Sequence, residues 1–220
     1  MTNPRRTTLR PHLARALASL VLGLALAGAG CTTAKRVMYE GFGRDEWQQP
    51  DRVVSDLALA PGASVADLGS GGGYFTFRLA RAVGPSGRVY AVDVDRGMNE
   101  HVAGAADEQG LANVTTVLAA ADDPRLPEPV DLVFTSNTYH HLENSAAYFR
   151  AVRERHLAPG GRVAIVEYRP DVTGHSTARE TIVQEMTAAG FRLVKAFDYL
   201  ERQHFLVFAA ETIDPEEAAR

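Results

Sequence analysis

"VADLGSGGGYFT" (Val65–Thr76) places four glycines, Gly69, Gly71, Gly72 and Gly73, directly behind a short apolar run that carries an acid, Asp67. Glycine loses more backbone freedom on ordering than any other residue, so such a cluster implies that something must approach the backbone closely. Working outward, "SVADLG" reads as a short buried strand and "YFTFRLARAV" as a helix, with Phe75, Leu79 and Val83 at helical spacing. The alternation then continues. "GRVYAVDVD" is a second strand, "NEHVAGAADEQG" a helix closed by Gly110, "NVTTVLA" a third strand, "VDLVFTS" a fourth, "SAAYFRAVRERH" a helix and "GRVAIVEYR" a fifth strand. Strands with nearly all-apolar interiors, separated by helices, predict a doubly wound, mostly parallel α/β sheet covered on both faces.

Two departures frame this pattern. On the N-terminal side, Pro50 is placed to start a helix with Val53, Val54 and Leu57 at helical spacing, and Pro61-Gly62 ends it. At the other end, "TARETIVQEMTAAGF" reads as a helix with Thr177 and Glu180 in capping-box spacing and Gly190 as its stop. "FRLVKAFDYL" and "RQHFLVFAA" follow as strands with too short a connection for a crossover helix, which predicts an antiparallel hairpin.

The glycine loop follows the first strand, where a doubly wound sheet takes ligands. Asp93 ends the second strand, 26 residues after Asp67, at a position where a carboxylate accepts from ribose hydroxyls. Asp122, in the "ADD" of residues 121–123, follows the third strand, where an acid can accept from an adenine amino group. With D-x-G-x-G-x-G and the second-strand acid in place, residues 40–210 resemble the class I S-adenosylmethionine-dependent methyltransferases. The resemblance implies a Rossmann-like sheet of seven strands with a C-terminal antiparallel hairpin. It extends to "W-Q-x-P" (Trp47 to Pro50), "DDPRLP" (Asp122 to Pro127) and "YHHL" (Tyr139 to Leu142), a pattern shared with a group of bacterial predicted methyltransferases. The implied cosubstrate is S-adenosylmethionine, with Asp67, Gly69, Ser70, Gly71, Gly73, Asp93, Asp122 and Asn137 as its binding residues.

A nicotinamide-dependent oxidoreductase is the rival on this architecture. Asp67 speaks against it, because a carboxylate beside a dinucleotide pyrophosphate is repulsive, whereas the methionine ammonium suits it. Transfer from a sulfonium mainly needs alignment, plus a base where the acceptor loses a proton. "FTSNTYHHL" follows the fourth strand, so Tyr139, His140 and His141 are the catalytic candidates, and Glu167 and Tyr168 at the end of the fifth strand border the acceptor pocket. Tyr39, Phe42, Arg44 and Trp47 precede the core and either fold over the donor or pack on the sheet edge. Two histidines without a third ligand predict no metal.

Charge is unevenly placed. Six of the 23 Lys and Arg and none of the 27 Asp and Glu precede residue 37, leaving the body near −10, which argues against a nucleic-acid footprint; the acceptor is expected to be an unidentified small molecule. Residues 1–31 carry four arginines, a 14-residue apolar run (Ala16–Ala29) and "GAGC", a signal-peptide layout. This end resembles a lipoprotein signal in which Cys31, the only cysteine, is lipidated and anchors the chain to the cell envelope; Gly28 departs from that pattern. "PRRTTLR" (Pro4–Arg10) resembles a twin-arginine signal, with Thr8 as its departure. Residues 32–37 read as a tether, 38–214 as the methyltransferase domain and 215–220 as a disordered tail. Translation from Met38 would instead leave a cytoplasmic enzyme, and a lipid-anchored binding module without turnover is the non-enzyme alternative.

Overall fold

The computed structural model describes residues 43–211. The expected signal segment with Cys31, the expected tether, Tyr39, Phe42 and the expected tail at 215–220 lie outside the described residues. Seven strands form one sheet: β1 (Ser64–Leu68), β2 (Arg88–Asp93), β3 (Val114–Leu118), β4 (Val130–Ser136), β5 (Leu157–Tyr168), β6 (Phe191–Phe197) and β7 (Gln203–Ala210). Their order is β3-β2-β1-β4-β5-β7-β6. The first five are parallel, and β7 runs antiparallel between β5 and β6. The predicted fold class and terminal hairpin are therefore observed. The chain runs outward from β1 to β3 and returns to β4 on the other side of β1, which makes the β1/β4 boundary the switch point of the sheet.

Among the described residues, six α-helices accompany it: α1 (Arg44–Gln48), α2 (Pro50–Asp56), α3 (Thr76–Val83), α4 (Arg96–Glu108), α5 (Ser145–Arg155) and α6 (Arg179–Ala188). Strand parity sorts the core. Val65, Phe134, Ala164, Val166, Phe205 and Val207 pack with Val53, Leu57, Phe75, Leu79 and Val83 of the α2/α3 side. Ala66, Leu68, Val163, Ile165, Leu206 and Phe208 pack with Phe149, Val152, Ile182 and Met186 of α5 and α6.

Several boundaries differ from the sequence reading. The segment before β1 holds two helices, split at Gln49, whose backbone is left-handed (φ 46°, ψ 55°). Proline disfavours the right-handed helical region in the residue before it, so Pro50 starts α2 by ending α1. Helix α4 starts at Arg96 rather than at Asn99, because Asp95 is its cap and accepts from the N–H groups of Gly97 (2.8 Å) and Met98 (3.3 Å). The capping box at Thr177 and Glu180 does not form: Ala178 is the residue before α6, no side chain caps that end, and Glu180 falls in the first turn. Strand β5 extends back to Leu157, which pairs with Val130 across a register shift.

Candidate functional site

The loop leaving β1 is held by its neighbours. Gly69 and Ser70 donate to the carbonyl of Val92 at 2.8 and 3.1 Å, and Gly71 N–H donates to Asp93 Oδ2 at 2.9 Å. Gly69, Gly71 and Gly73 all have positive φ (74°, 50° and 86°), the left-handed region that favours glycine. Two of them also have no room for a side chain. A Cβ at Gly69 would overlap the side chain of Thr138 in the loop after β4, and one at Gly73 would come within 2.7 Å of the Phe77 ring. The β1 and β4 loops thus touch at the switch point, and the glycines there are a steric requirement.

Asp93 uses both oxygens, Oδ2 on this loop and Oδ1 on its own turn, where it accepts from Asp95 N–H at 2.8 Å. A carboxylate has about four acceptor positions, so capacity for two hydroxyls remains. Val94, next in the chain, leaves an apolar side chain 64% exposed beside it. Asp122 is exposed, and its neighbour Asp123 is the engaged acid, meeting Arg155 and His156 at 3.2 Å each.

Asp67 is 2% exposed and lies on the α2/α3 face, where Thr76 Oγ1 donates to it at 2.6 Å. Burial pushes its carboxyl up to about 6, against the opposing pulls of Thr76 and the Arg44 guanidinium. Arg44 lies over the Tyr74 ring, 3.7 Å from its centroid, and hydrogen-bonds Gln48. Trp47 stacks on Tyr168 (5.9 Å between centroids), and Arg202 lies 5.3 Å over Trp47. Trp47 thus packs on the residue that ends β5, a central strand.

The catalytic candidates separate. Tyr139 is 1% exposed, stacks on Phe149 and donates to Glu185 Oε2 at 2.7 Å, so its hydroxyl is committed to α6. His140 Nδ1 lies 2.9 Å from Glu167 Oε1. His141 is exposed, with its ring 4.1 Å from that of His140, and the His140 ring is 6.1 Å from that of His175. Burial holds both His140 and His141 below the ordinary histidine value. Asn137 takes a left-handed backbone (φ 55°) and accepts from Gln203 Nε2 at 2.6 Å, while Gln48 Nε2 donates to Ser136 Oγ at 2.9 Å. Gln203 and His175 escaped the sequence reading, because a polar residue inside a strand-like run or a loop carries no local signal of what it meets across 66 or 35 residues. Among the described residues, no group of three or more His, Cys, Asp or Glu is placed to hold a metal, and no helix is long and apolar enough to cross a membrane.

A cavity of about 530 Å³ adjoins the glycine loop at Gly72 and Tyr74 and is lined further by Asp51, Val54, Phe77, Arg78 and Arg81. Its arginines are already engaged, Arg78 by Asp45 and Asp51 and Arg81 by Gln109.

Residues 65–161 match the family described as "Methyltransferase domain". The chain is 32% identical over 123 residues to the protein-L-isoaspartate O-methyltransferase of Aeropyrum pernix, covering 55% of this chain and 45% of that one. It is 30% identical over 129 residues to the nocamycin O-methyltransferase of Saccharothrix syringae, covering 58% and 46%. The chain therefore spans about half the length of the curated relatives it matches. A methyltransferase structure from Aquifex aeolicus superposes with a TM-score of 0.75 at 22% identity, over 81% of this chain and 98% of that one. Magnesium protoporphyrin IX methyltransferase from Synechocystis, solved with bound SAH, superposes at 0.61 and 19% identity over 76% and 83%. Over residues 65–161 the chain is thus similar in sequence to a methyltransferase domain, and its seven-stranded sheet has the fold of these solved structures.

Proposed function

We propose that this chain transfers the methyl group of S-adenosylmethionine to a small-molecule acceptor. The observation that carries the reading is the loop leaving β1 at the switch point, where Gly69 and Gly73 have no room for a Cβ and Gly71 N–H donates to the Asp93 carboxylate. The residues fit the ligand: a backbone that can be closely approached, a carboxylate with free acceptor positions for a ribose, and the exposed Val94 beside it for the face of a base. Bound there, the cosubstrate supplies a methyl already activated on a sulfonium, leaving the protein to align the acceptor and exclude water. Asp67 and the Arg44 guanidinium give the β1 end both signs of charge, which suits an amino acid moiety. The small-molecule acceptor is supported by the nocamycin enzyme among the relatives.

Thermal shift of the full chain with S-adenosylmethionine, S-adenosylhomocysteine and NAD tests this. Stabilisation by the first two is expected, and stabilisation by NAD alone would sink it. We place the domain in the cell envelope, anchored through a lipidated Cys31, on the layout of residues 1–31. Fractionation of the native host with mass spectrometry of the N-terminal peptide decides this: an acylated Cys31 in membranes is expected, and a soluble product beginning at Met38 would refute it.

A further inference from the structure

One buried acid at the carboxyl edge of the sheet has no part in holding a nucleoside. Glu167 shares the α5/α6 face of β5 with Val163 and Ile165, and its side chain is fully buried. Its Oε1 accepts from Tyr168 N–H at 2.8 Å and meets His140 Nδ1 at 2.9 Å, while Oε2 has no hydrogen-bond partner among the described residues. A half-satisfied carboxyl in such a place opposes folding, since its strand neighbours show that an apolar residue would fit the core. What it does achieve is to hold one imidazole. The His140 side chain is 10% exposed, and its other nitrogen, Nε2, makes no hydrogen bond among the described residues. Among the described residues, His141 has no carboxylate within hydrogen-bonding reach, and its hydrogen bond is the one its backbone N–H donates to Thr138.

We infer that His140 Nε2 is the proton-accepting atom in methyl transfer, that Glu167 is the positioning residue fixing that ring, and that the acceptor presents a hydroxyl. This rests on the methyl-transfer reading above. An imidazole whose Nδ1–H is held by a carboxylate is locked in the tautomer that leaves Nε2 bare, and the carboxylate stabilises the imidazolium that forms. Burial pushes the Glu167 carboxyl up to about 7, so at pH 8 it is the acceptor in this pair. The need for a base selects the acceptor class. An amine attacks through a neutral lone pair, and a thiol, with a pKa of about 8.5, supplies its own anion, whereas a hydroxyl at about 10 or above does neither near neutrality. In the step, an oxygen lone pair forms the new carbon–oxygen bond as the carbon–sulfur pair stays on sulfur, which leaves as a neutral thioether. The hydroxyl proton passes to Nε2, and the positive charge that began on the sulfonium ends on an imidazolium beside Glu167.

The test is a long-range ¹H–¹⁵N correlation spectrum of the histidine rings in the full chain at pH 8, with and without S-adenosylhomocysteine. His140 is expected as a single tautomer with Nδ1 protonated and Nε2 bare. Glu167→Ala should lose that tautomer, and Glu167→Gln, whose amide oxygen still accepts from Nδ1, should restore it, with His141 unchanged in both. A wild-type His140 protonated at Nε2 overturns the inference, as does a tautomer that survives Glu167→Ala. Should the alanine variant not fold, the wild-type and glutamine spectra decide by the same criterion. Absence of any thermal stabilisation by S-adenosylhomocysteine overturns the methyl-transfer reading itself, and the tautomer of the ligand-free chain is read independently of it.

Discussion

Replacing Glu167 by glutamine should change how stability depends on pH, by an amount that follows from the burial of this one carboxyl. Its value rises from 4.5 to about 7 on folding, chiefly through burial. An acid with a raised folded value holds its proton in the native chain where the unfolded chain has already lost it. Its contribution is therefore full below about pH 4.5 and is lost as pH rises through about 7. Each tenfold change in proton affinity is worth about 1.4 kcal/mol, so the loss across that window is about 3 kcal/mol. Glutamine abolishes the titration and adds a constant term, because its amide nitrogen takes the place of the unpartnered Oε2 and leaves a buried donor unpaired at a cost of about 1–3 kcal/mol. Glu167→Gln should thus be the less stable protein at pH 5 and close to or above wild type at pH 8. Asp67 lies on the opposite face of the sheet and titrates alike in both chains, so its contribution cancels in the comparison. Urea denaturation followed by circular dichroism at pH 5, 6, 7 and 8 measures the gap. A gap that does not move with pH would refute the reasoning, since it would mean that Glu167 is not desolvated in the folded chain.

Three further substitutions bear on the site. Asp93→Ala removes the acceptor of the Gly71 and Asp95 N–H groups and of the proposed ribose hydroxyls, and should weaken S-adenosylhomocysteine binding by about 1–3 kcal/mol in titration calorimetry; unchanged affinity would mean that Asp93 serves the loop alone. Gly69→Ala should destabilise the chain by about 2 kcal/mol or more, from a left-handed backbone and overlap with Thr138, and Thr138→Gly should recover part of this in thermal melts. Tyr139→Phe removes the hydrogen bond to Glu185 and should cost about 1 kcal/mol of stability while leaving S-adenosylhomocysteine affinity unchanged, which thermal melts and calorimetry check.

Much of the framework was legible in the chain because it depends on local chemistry. Apolar strands separated by helical spacing can bury themselves only as a parallel sheet covered on both faces. The short connection between β6 and β7 admits only an antiparallel pairing. The glycine cluster marks a close approach wherever it occurs, and it proved to lie at the switch point, where the strand-order reversal had placed it. Local signals failed at helix starts: Asp95 caps a helix that the sequence reading began at Asn99, and the Thr177 capping box yielded to a helix that begins after Ala178. Roles within "YHH" were beyond the sequence altogether. Three adjacent polar rings differ only in what lies across from them, and that was settled by the pairing of β4 with β5 and the packing of α6. Tyr139 meets Glu185 across 46 residues and is committed to the core, while His140 meets Glu167 across 27. Strand parity completed the separation: Asp67 and Glu167, both acids near the ends of apolar strands, face opposite sides of the sheet, one beside Thr76 and the other beside an imidazole. A one-residue difference in register decides that, and only the assembled sheet fixes the register.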